Sequence, residues 1–534
     1  MTILLLISIV LLMALVAVRF SDRLGLPSLL LFILMGMLTG AAGVKFDNYN
    51  LVEKFATVAL MLIMFYGGFG TNWKMAKPAF KESALLASFG VVLTAVFCGV
   101  FFHFAFKFNF IESMLLASVI ASTDYASVSS ILRSKNLNLK DYTAPLLELE
   151  SGSNDPTAYT LTIIFISILK GTSTSIPILI LTQIVLGIAI GFIAGYLVKK
   201  IINFFNFSQD GLFTVFMLAV VCLAFAISNI LGGNGYLTVY LLGIYVGNQE
   251  FIGKRDIVFF FDGFTNLVQI GMFYLLGLLS NFASLKSAMP LSIIAAIFLT
   301  VVARPLVTYI LVRPFKRSLA QIFILSLAGL RGAAAIAFAI IVVNSHAPVD
   351  TDIFHIVFGI CLLSQLVQGA VLPVFCKKLK MVDENDTVLK TFNYYQDKSD
   401  VGFIVSDIPQ SSILCGKKIR DLHLAFDFII AKIIRDNKTI IPRGDTVLQV
   451  GDTIIVGGES YFDPIGQELM ELKISSSHPW LNMKLCDLNL ASDSLVVMIQ
   501  SKEGKIVIPT GETKMLEGDT VIILKVKETN KNRM

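Results

Sequence analysis

Charge is scarce in this sequence. Only 15% of its residues are Asp, Glu, Lys or Arg, 55% are hydrophobic, and mean hydropathy is +0.76. A soluble globular chain carries about a quarter charged residues, so a single water-solvated fold is excluded for most of the length. Histidine occurs only five times in 534 residues, and the five are scattered. No His-Glu-x-x-His, no Gly-x-Ser-x-Gly and no histidine cluster is present, which leaves no support for a membrane-embedded hydrolase or any other enzyme. Cys98, Cys222, Cys361, Cys376, Cys415 and Cys486 include no Cys-x-x-Cys pair. They read as small core residues rather than disulfides or metal ligands. The net charge of +5 is small and gives no sign of a nucleic-acid partner, because an excess of Lys and Arg on loops accounts for it.

What is present is apolar sequence in long runs. A helix needs about 20 apolar residues to cross a bilayer, and about thirteen such spans are expected before residue 380. The expected ranges are 2–19, 26–44, 52–71, 83–105, 111–132, 144–169, 175–198, 211–231, 235–248, 257–280, 287–312, 318–343 and 352–376. The N-terminal run has no basic residue before it and no clear cleavage site, so it is expected to remain as the first span. Loop charges alternate. One side collects Arg19, Arg23, Lys74, Lys77, Lys81, Arg133, Lys135, Lys140, Lys199, Lys200, Lys254, Arg255, Arg313, Lys316, Arg317, Lys377, Lys378 and Lys380. The other has Lys45, Lys54, Lys107, Lys170 and Lys286. The richer side is expected to be cytoplasmic, placing the N-terminus outside and the C-terminus inside.

Composition changes near Met381. The expected organisation is a transmembrane domain over 1–380, a linker over 381–399, and two tail repeats over 400–470 and 471–534. The repeat is visible in the residues. Gly416-Lys417-Lys418-Ile419-Arg420-Asp421-Leu422 aligns with Asn482-Met483-Lys484-Leu485-Cys486-Asp487-Leu488. Pro442-Arg443-Gly444-Asp445-Thr446 aligns with Pro509-Thr510-Gly511-Glu512-Thr513, and Gly451-Asp452-Thr453 with Gly518-Asp519-Thr520. β-branched runs between turn residues make each copy a β-rich unit. Tyr461 to Leu472 is read as a helix joining the copies, and one extra residue is placed in the Lys502–Lys505 turn. The fold class is therefore an all-α polytopic membrane protein with a cytoplasmic α+β tail.

Five polar groups interrupt the apolar spans: Ser122-Thr123-Asp124-Tyr125; Glu148 to Asp155; Asp262 with Asn266 and Gln269; Arg304; and Arg331. An ionised side chain within hydrocarbon costs about 2.5 kcal/mol or more, so these residues need a use. Ser151 and Asp155 are one turn apart and share a helix face, with Asn154 nearly on it. Glu148 and Glu150 point apart. Asp155 is suited to hold either a proton or a dehydrated alkali cation, with oxygens of Ser151, Asn154 and Thr123 as further hard ligands. Pro156 removes a backbone donor and is expected to kink its helix or free the Gly152 carbonyl. Asp124 and Arg331 lie amid small residues in mid-span, the pattern of broken helices meeting at the bilayer midplane. There an acid sits near a helix N-terminus and a base near a C-terminus. Glu150 is expected to pair with an arginine, either Arg304 or Arg331, and Asp262 is read as a boundary residue.

These motifs resemble the monovalent cation:proton antiporters of the NhaP type. The resemblance rests on Thr123-Asp124, Glu150 to Pro156, Ala303-Arg304-Pro305 and Gly329-Leu330-Arg331-Gly332-Ala333, and the potassium/proton subgroup is the closest in pattern. It implies thirteen helices, inverted repeats with broken crossing helices, a homodimer, and alternating access by movement of an ion-carrying core. It also implies that Asp155 carries the ion with Thr123, Ser151 and Asn154 assisting and Asp124 completing the site, that Glu150 and Arg331 form a structural salt bridge, and that Arg304 gives support. The chain departs from the family pattern at Tyr66, Tyr125 and Ala335. Each tail repeat resembles the C-terminal subdomain of potassium-conductance regulators (RCK C-type). That resemblance implies cyclic di-AMP or another nucleotide as a regulatory ligand; no other cofactor is expected. The expected function is exchange of K+ or Na+ for H+ across the cytoplasmic membrane, electroneutral if Asp155 alone changes charge. A gated cation channel is the competing class, and it lacks a Thr-Val-Gly-Tyr-Gly filter here.

Overall fold

The computed structural model describes residues 2–24, 28–44, 46–135, 137–172, 175–204, 212–249, 251, 254–383, 401–408, 412, 414–421, 429–435, 438–459, 469–474, 478–488, 494–501, 506–507 and 509–525. The chain divides into two compact units, Met1–Asp397 and Lys398–Met534.

Apolar sequence with internally satisfied backbone makes helices the solution in lipid, and the first unit is built of them. It begins with α1 (Thr2–Leu24), α2 (Ser28–Ala41) and α3 (Tyr49–Gly70). The stretch Trp73–Phe106 contains α4 (Trp73–Ala76), α5 (Phe80–Leu85) and α6 (Val91–Phe106), with a π stretch at Leu86–Gly90. A broken helix follows as α7 (Phe110–Ile120) and α8 (Tyr125–Ser134). Next come α9 (Thr143–Leu169), α10 (Ile176–Phe204), α11 (Leu212–Ile230), α12 (Gly235–Gly247) and α13 (Lys254–Leu279). A π stretch at Leu299–Ala303 joins α14 (Phe282–Phe298) to α15 (Arg304–Val312). A second broken helix is α16 (Leu319–Leu327) and α17 (Ala333–Asn344). The unit closes with α18 (Ile353–Leu363) and α19 (Gly369–Lys378), joined by a π stretch at Ser364–Gln368.

Each expected span range overlaps one of these helices or helix pairs. Eight described stretches are long and apolar enough to cross a membrane. α9 is 27 residues long, but Glu148, Glu150 and Asp155 dilute its hydropathy. It continues through Pro156 as one helix.

The stretches Trp73–Phe106 and Phe282–Phe315 are each 34 residues. Each is interrupted midway by a π stretch, and each is followed by a broken helix. Their starts are seven helical stretches apart, and an odd offset sets the two runs antiparallel, as an inverted repeat requires.

Packing falls into two groups. α1–α3 and α10–α13 pack chiefly on one another, and α4–α8 with α14–α19 form the second group around α9. Small residues set the first group's closeness. A side chain at Gly243 would strike the Phe65 carbonyl of α3, and one at Gly68 would strike the Tyr240 carbonyl of α12.

The second unit holds two four-stranded sheets. β1 (Val401–Asp407), β2 (Ile429–Arg435), β3 (Lys438–Ile440) and β4 (Thr453–Glu459) are ordered β1-β4-β2-β3. β5 (Leu469–Lys473), β6 (Ser494–Gln500), β7 (Ile506–Val507) and β8 (Thr520–Lys525) are ordered β5-β8-β6-β7. The duplication extends to single bonds. The Gln449 N–H donates to Asp452 at 2.8 Å and the Leu516 N–H to Asp519 at 2.9 Å. Both copies carry a register shift, at Ile430/Lys432 and at Val496/Met498. The expected helix between the copies is corrected where it is described: Leu469–Lys473 is an edge strand paired with β8, because its backbone groups find their partners on a strand distant in sequence rather than within a helical turn. Residues 460–468, the Lys502–Lys505 turn and residues 384–399 of the linker lie outside the described residues.

The repeats differ at one buried charge. Arg435 reaches both oxygens of Asp452 at 2.7 Å, while Ser501 holds the equivalent position in the second copy. Hydrogen bonds from Arg435 hold the Asp452 carboxyl below the usual carboxylate range. That stabilisation is full above the unfolded pKa of about 3.9 and is lost as pH falls through the depressed folded value. Arg435→Met is expected to cost the first repeat about 1–2 kcal/mol at neutral pH. Hydrogen exchange of β2 and β4 in the intact protein reads this, and unchanged protection would refute it.

Candidate functional site

Two broken helices meet in the first unit. The α7–α8 break leaves the chain from Ala121 to Asp124 outside regular helix, and the α16–α17 break does the same for Ala328 to Gly332. Each break leaves helix-end N–H and C=O groups needing partners. The Asp124 N–H donates to the Leu330 carbonyl at 2.8 Å, tying one break to the other. Gly332 permits this approach, since a side chain there would collide with the Asp124 carboxylate.

Charges sit at the ends whose dipoles they oppose. Asp124 caps the N-terminus of α8, accepting from the Ser127 hydroxyl at 2.6 Å and the Ser127 N–H at 3.3 Å. The Gln365 amide adds a long bond to the same carboxylate at 3.4 Å. Arg331 faces the C-terminus of α7, donating to the carbonyls of Ala121 at 2.7 Å and Ser122 at 2.5 Å. Its side chain is buried, and its N–H donates to Ser364 at 3.0 Å.

This geometry corrects one expectation. Glu150 pairs with Arg304, not with Arg331, and both partners are buried. The reason is packing. α9 and α15 both lie against the π stretch at Leu86–Gly90, while the π stretch at Leu299–Ala303 ends at Arg304 and starts α15 there. Arg331 is occupied by the orphaned carbonyls of α7.

α9 lays its polar face on the first break. The Ser151 hydroxyl donates to the Thr123 carbonyl at 2.6 Å and accepts from the Tyr125 N–H at 2.8 Å. The Asn154 amide donates to the Thr123 hydroxyl, and its oxygen accepts from the Thr123 N–H at 3.4 Å. Asp155 accepts a hydrogen bond from the Ser122 hydroxyl. Asp155, Ser151, Asn154 and Thr123 are buried. The structure thus brings together all five residues expected at the site, with Asp124 engaged chiefly in capping α8.

A cavity of about 850 Å³ opens onto this constellation, lined by Asp155, Ser151, Thr123, Asp124 and Glu148. Its lining also includes Tyr66, Tyr240, Asp262, Asn266 and Gln269. Asp262 is therefore not a boundary residue. It lies about two turns inside α13 and accepts from the Tyr66 hydroxyl at 3.0 Å.

Sequence reasoning misses three participants. Ser122 stands in its polar group without an assigned role. Gln365 donates to Asp124, Ser127 and the Arg331 carbonyl; the Ser364-Gln365 pair within an apolar span is its signal. Asn234 donates to the Pro156 carbonyl at 2.9 Å and to Thr160 at 3.1 Å, and Thr160 donates to Gln183 at 2.6 Å. Only the helix-start position of Asn234, after Gly232-Gly233, hints at it.

A helical bundle with two broken helices crossing beside a buried, oxygen-ringed carboxylate defines a membrane ion carrier. Comparison with known proteins places it. Residues 7–378 match the family model described as sodium/hydrogen exchanger, transmembrane, and the chain belongs to that family. Residues 405–460 and 469–525 match the TrkA-C domain. The chain is 32% identical over 450 residues to the K(+)/H(+) antiporter NhaP2 of Shewanella baltica, covering 82% of this chain and 78% of that one. It is 29% identical over 467 residues to the K(+)/H(+) antiporter NhaP of Alkalimonas amylolytica, covering 85% and 80%. The fold matches that of the sodium proton antiporter MjNhaP1 of Methanocaldococcus jannaschii, with a TM-score of 0.64 and 20% identity over 70% of this chain and 97% of that one. The protein is a multi-pass monovalent cation:proton antiporter of the NhaP type with two RCK C-type domains.

Proposed function

We propose that this antiporter exchanges K+ for H+ in preference to Na+, one for one, with Asp155 as the group that holds either ion. The observation that carries the reading is Asp155 itself: a buried carboxylate on α9 beside the α7–α8 break, hydrogen-bonded by Ser122 and facing a cavity. A proton and a cation compete for it, and that competition couples the two fluxes. Thr123, Ser151 and Asn154 shape the site and supply oxygens near it, Asp124 and Arg331 hold the crossing by opposing its helix dipoles, and Glu150 with Arg304 braces α9. Two relatives named for K+/H+ exchange support the choice of K+.

The cavity residues Tyr66 and Glu148 lie near the helix ends that border the loops rich in Lys and Arg. By the charge rule these ends are cytoplasmic, so the cavity faces inward, the N-terminus is outside and the tail is in the cytoplasm. The protein works in the cytoplasmic membrane as a homodimer, and the tail repeats regulate it, with cyclic di-AMP or a related nucleotide as ligand. The test is proton flux in vesicles reconstituted with the purified protein, each alkali cation being added in turn, with and without residues 383–534. K+ is expected to collapse the pH gradient fastest without generating a membrane potential. A K+-driven current in the absence of a pH gradient would replace this reading with a channel.

A further inference from the structure

The part of the cavity lining that α13 supplies has its own pattern. α13 lines the cavity with Phe259, Asp262, Thr265, Asn266, Gln269 and Phe273, and the Thr265 hydroxyl is turned back onto the Phe261 carbonyl at 2.6 Å. Thr265 aside, these positions advance by three, four, three and four residues, so they form one continuous stripe along the helix. Three oxygen-bearing side chains occupy its middle, and a phenylalanine closes each end. Polar side chains within a membrane helix are costly, and these three line the cavity rather than a helix-helix seam. α13 packs chiefly on α2 and α3, with Gly277 against the Ile33 backbone. The stripe thus belongs to the packing group that lacks Asp155.

Tyr66 connects the stripe to α3. Its hydroxyl donates to Asp262 at 3.0 Å, which fixes one rotamer of the carboxylate while the residue remains only partly buried. A brace would be expected at a sealed helix contact. This pair instead lines the same cavity as Asp155.

We infer that Asp262, positioned by Tyr66 and joined by the amide oxygens of Asn266 and Gln269, is a second monovalent-cation site that receives the ion from the cavity before Asp155 takes it. The inference rests on the antiporter reading and adds a staging step on α13. Carboxylate and amide oxygens are the hard ligands an alkali cation accepts while it sheds part of its water. A fixed negative charge in the cavity lining also raises the local cation concentration.

Cation-dependent thermal stabilisation of the purified full chain, with KCl titrated against choline chloride, tests this apart from transport. Asp155→Asn is expected to keep a reduced K+-dependent shift, and Asp155→Asn combined with Asp262→Asn to lose it. Loss of the whole shift in Asp155→Asn alone, or retention of that variant's shift in the double variant, would overturn the staging site. A full wild-type shift in Asp155→Asn would instead count against Asp155 as carrier, and the double variant would still decide on Asp262. In transport, Asp262→Asn is expected to raise the apparent KM for K+ on the cavity side by about fivefold, with a smaller fall in maximal rate. Asp262→Glu should recover much of the KM, and Tyr66→Phe should raise it less than Asp262→Asn does. A purely structural role would lower the yield of folded protein and the maximal rate together, leaving KM unmoved.

Discussion

Asp155→Asn is expected to reduce K+-dependent proton flux to the level of protein-free vesicles, a loss on the order of hundredfold or more. The substitution is nearly isosteric, and the introduced amide retains an oxygen to accept from Ser122. What it removes is the charge that a proton or a cation must neutralise. The protein should therefore fold, insert and bind lipid as before while the exchange stops. Asp155→Glu keeps the charge and is expected to retain partial activity, because one added methylene moves the carboxylate against Ser122 and the first break. Equal flux in wild type and Asp155→Asn would assign the carrier role elsewhere in the cavity.

The second large effect concerns stability. Glu150 and Arg304 are both buried, and removing one partner leaves the other charged within the helical core. That costs about 3–5 kcal/mol. Glu150→Leu is thus expected to lower the thermal unfolding temperature of the purified chain sharply. Removing both charges avoids the stranded ion, so Glu150→Leu with Arg304→Leu should recover much of the loss. The same rescue should fail when Glu150→Leu is combined with Arg331→Leu, because Arg331 serves the carbonyls of Ala121 and Ser122. Rescue through Arg331 rather than Arg304 would show that the pairing is the other way round.

The outcome for Arg304 and Arg331 shows where sequence reasoning reaches its limit. Both arginines stand out as charges in apolar spans, and the need of Glu150 for an arginine follows from desolvation alone. The choice of partner depends on two π stretches, Leu86–Gly90 and Leu299–Ala303. Each alters the helical phase by inserting extra residues into a turn, and no hydrophobic period reveals them. The breaks themselves are legible, since Asp124 and Arg331 interrupt apolar runs beside small residues. So is the shared face of Ser151 and Asp155, which needs only the α-helical repeat.

Asp262 is misplaced from sequence for a different reason. The cluster Lys254-Arg255-Asp256 marks the start of α13, and another acid soon afterwards looks like part of the same ionic end. Its position on the stripe with Asn266 and Gln269 becomes decisive only when α3 brings Tyr66 to meet it. In the tail, the duplicated turns are legible because Gly-Asp-Thr and Pro-x-Gly are backbone requirements that recur in order. The edge strand Leu469–Lys473 reads as helix because its pairing with β8 is made some fifty residues further along the chain, beyond any local pattern.

The central claim is that one carboxylate serves proton and cation in turn. The most direct measurement is the apparent KM for K+ as a function of pH on the cavity side, in vesicles reconstituted with the full chain. Competition at a single group predicts a KM that rises toward about tenfold per unit fall in pH once protons dominate the site, with the maximal rate unchanged by saturating K+. A KM independent of pH, or an inhibition by protons that saturating K+ leaves in place, would contradict the shared site.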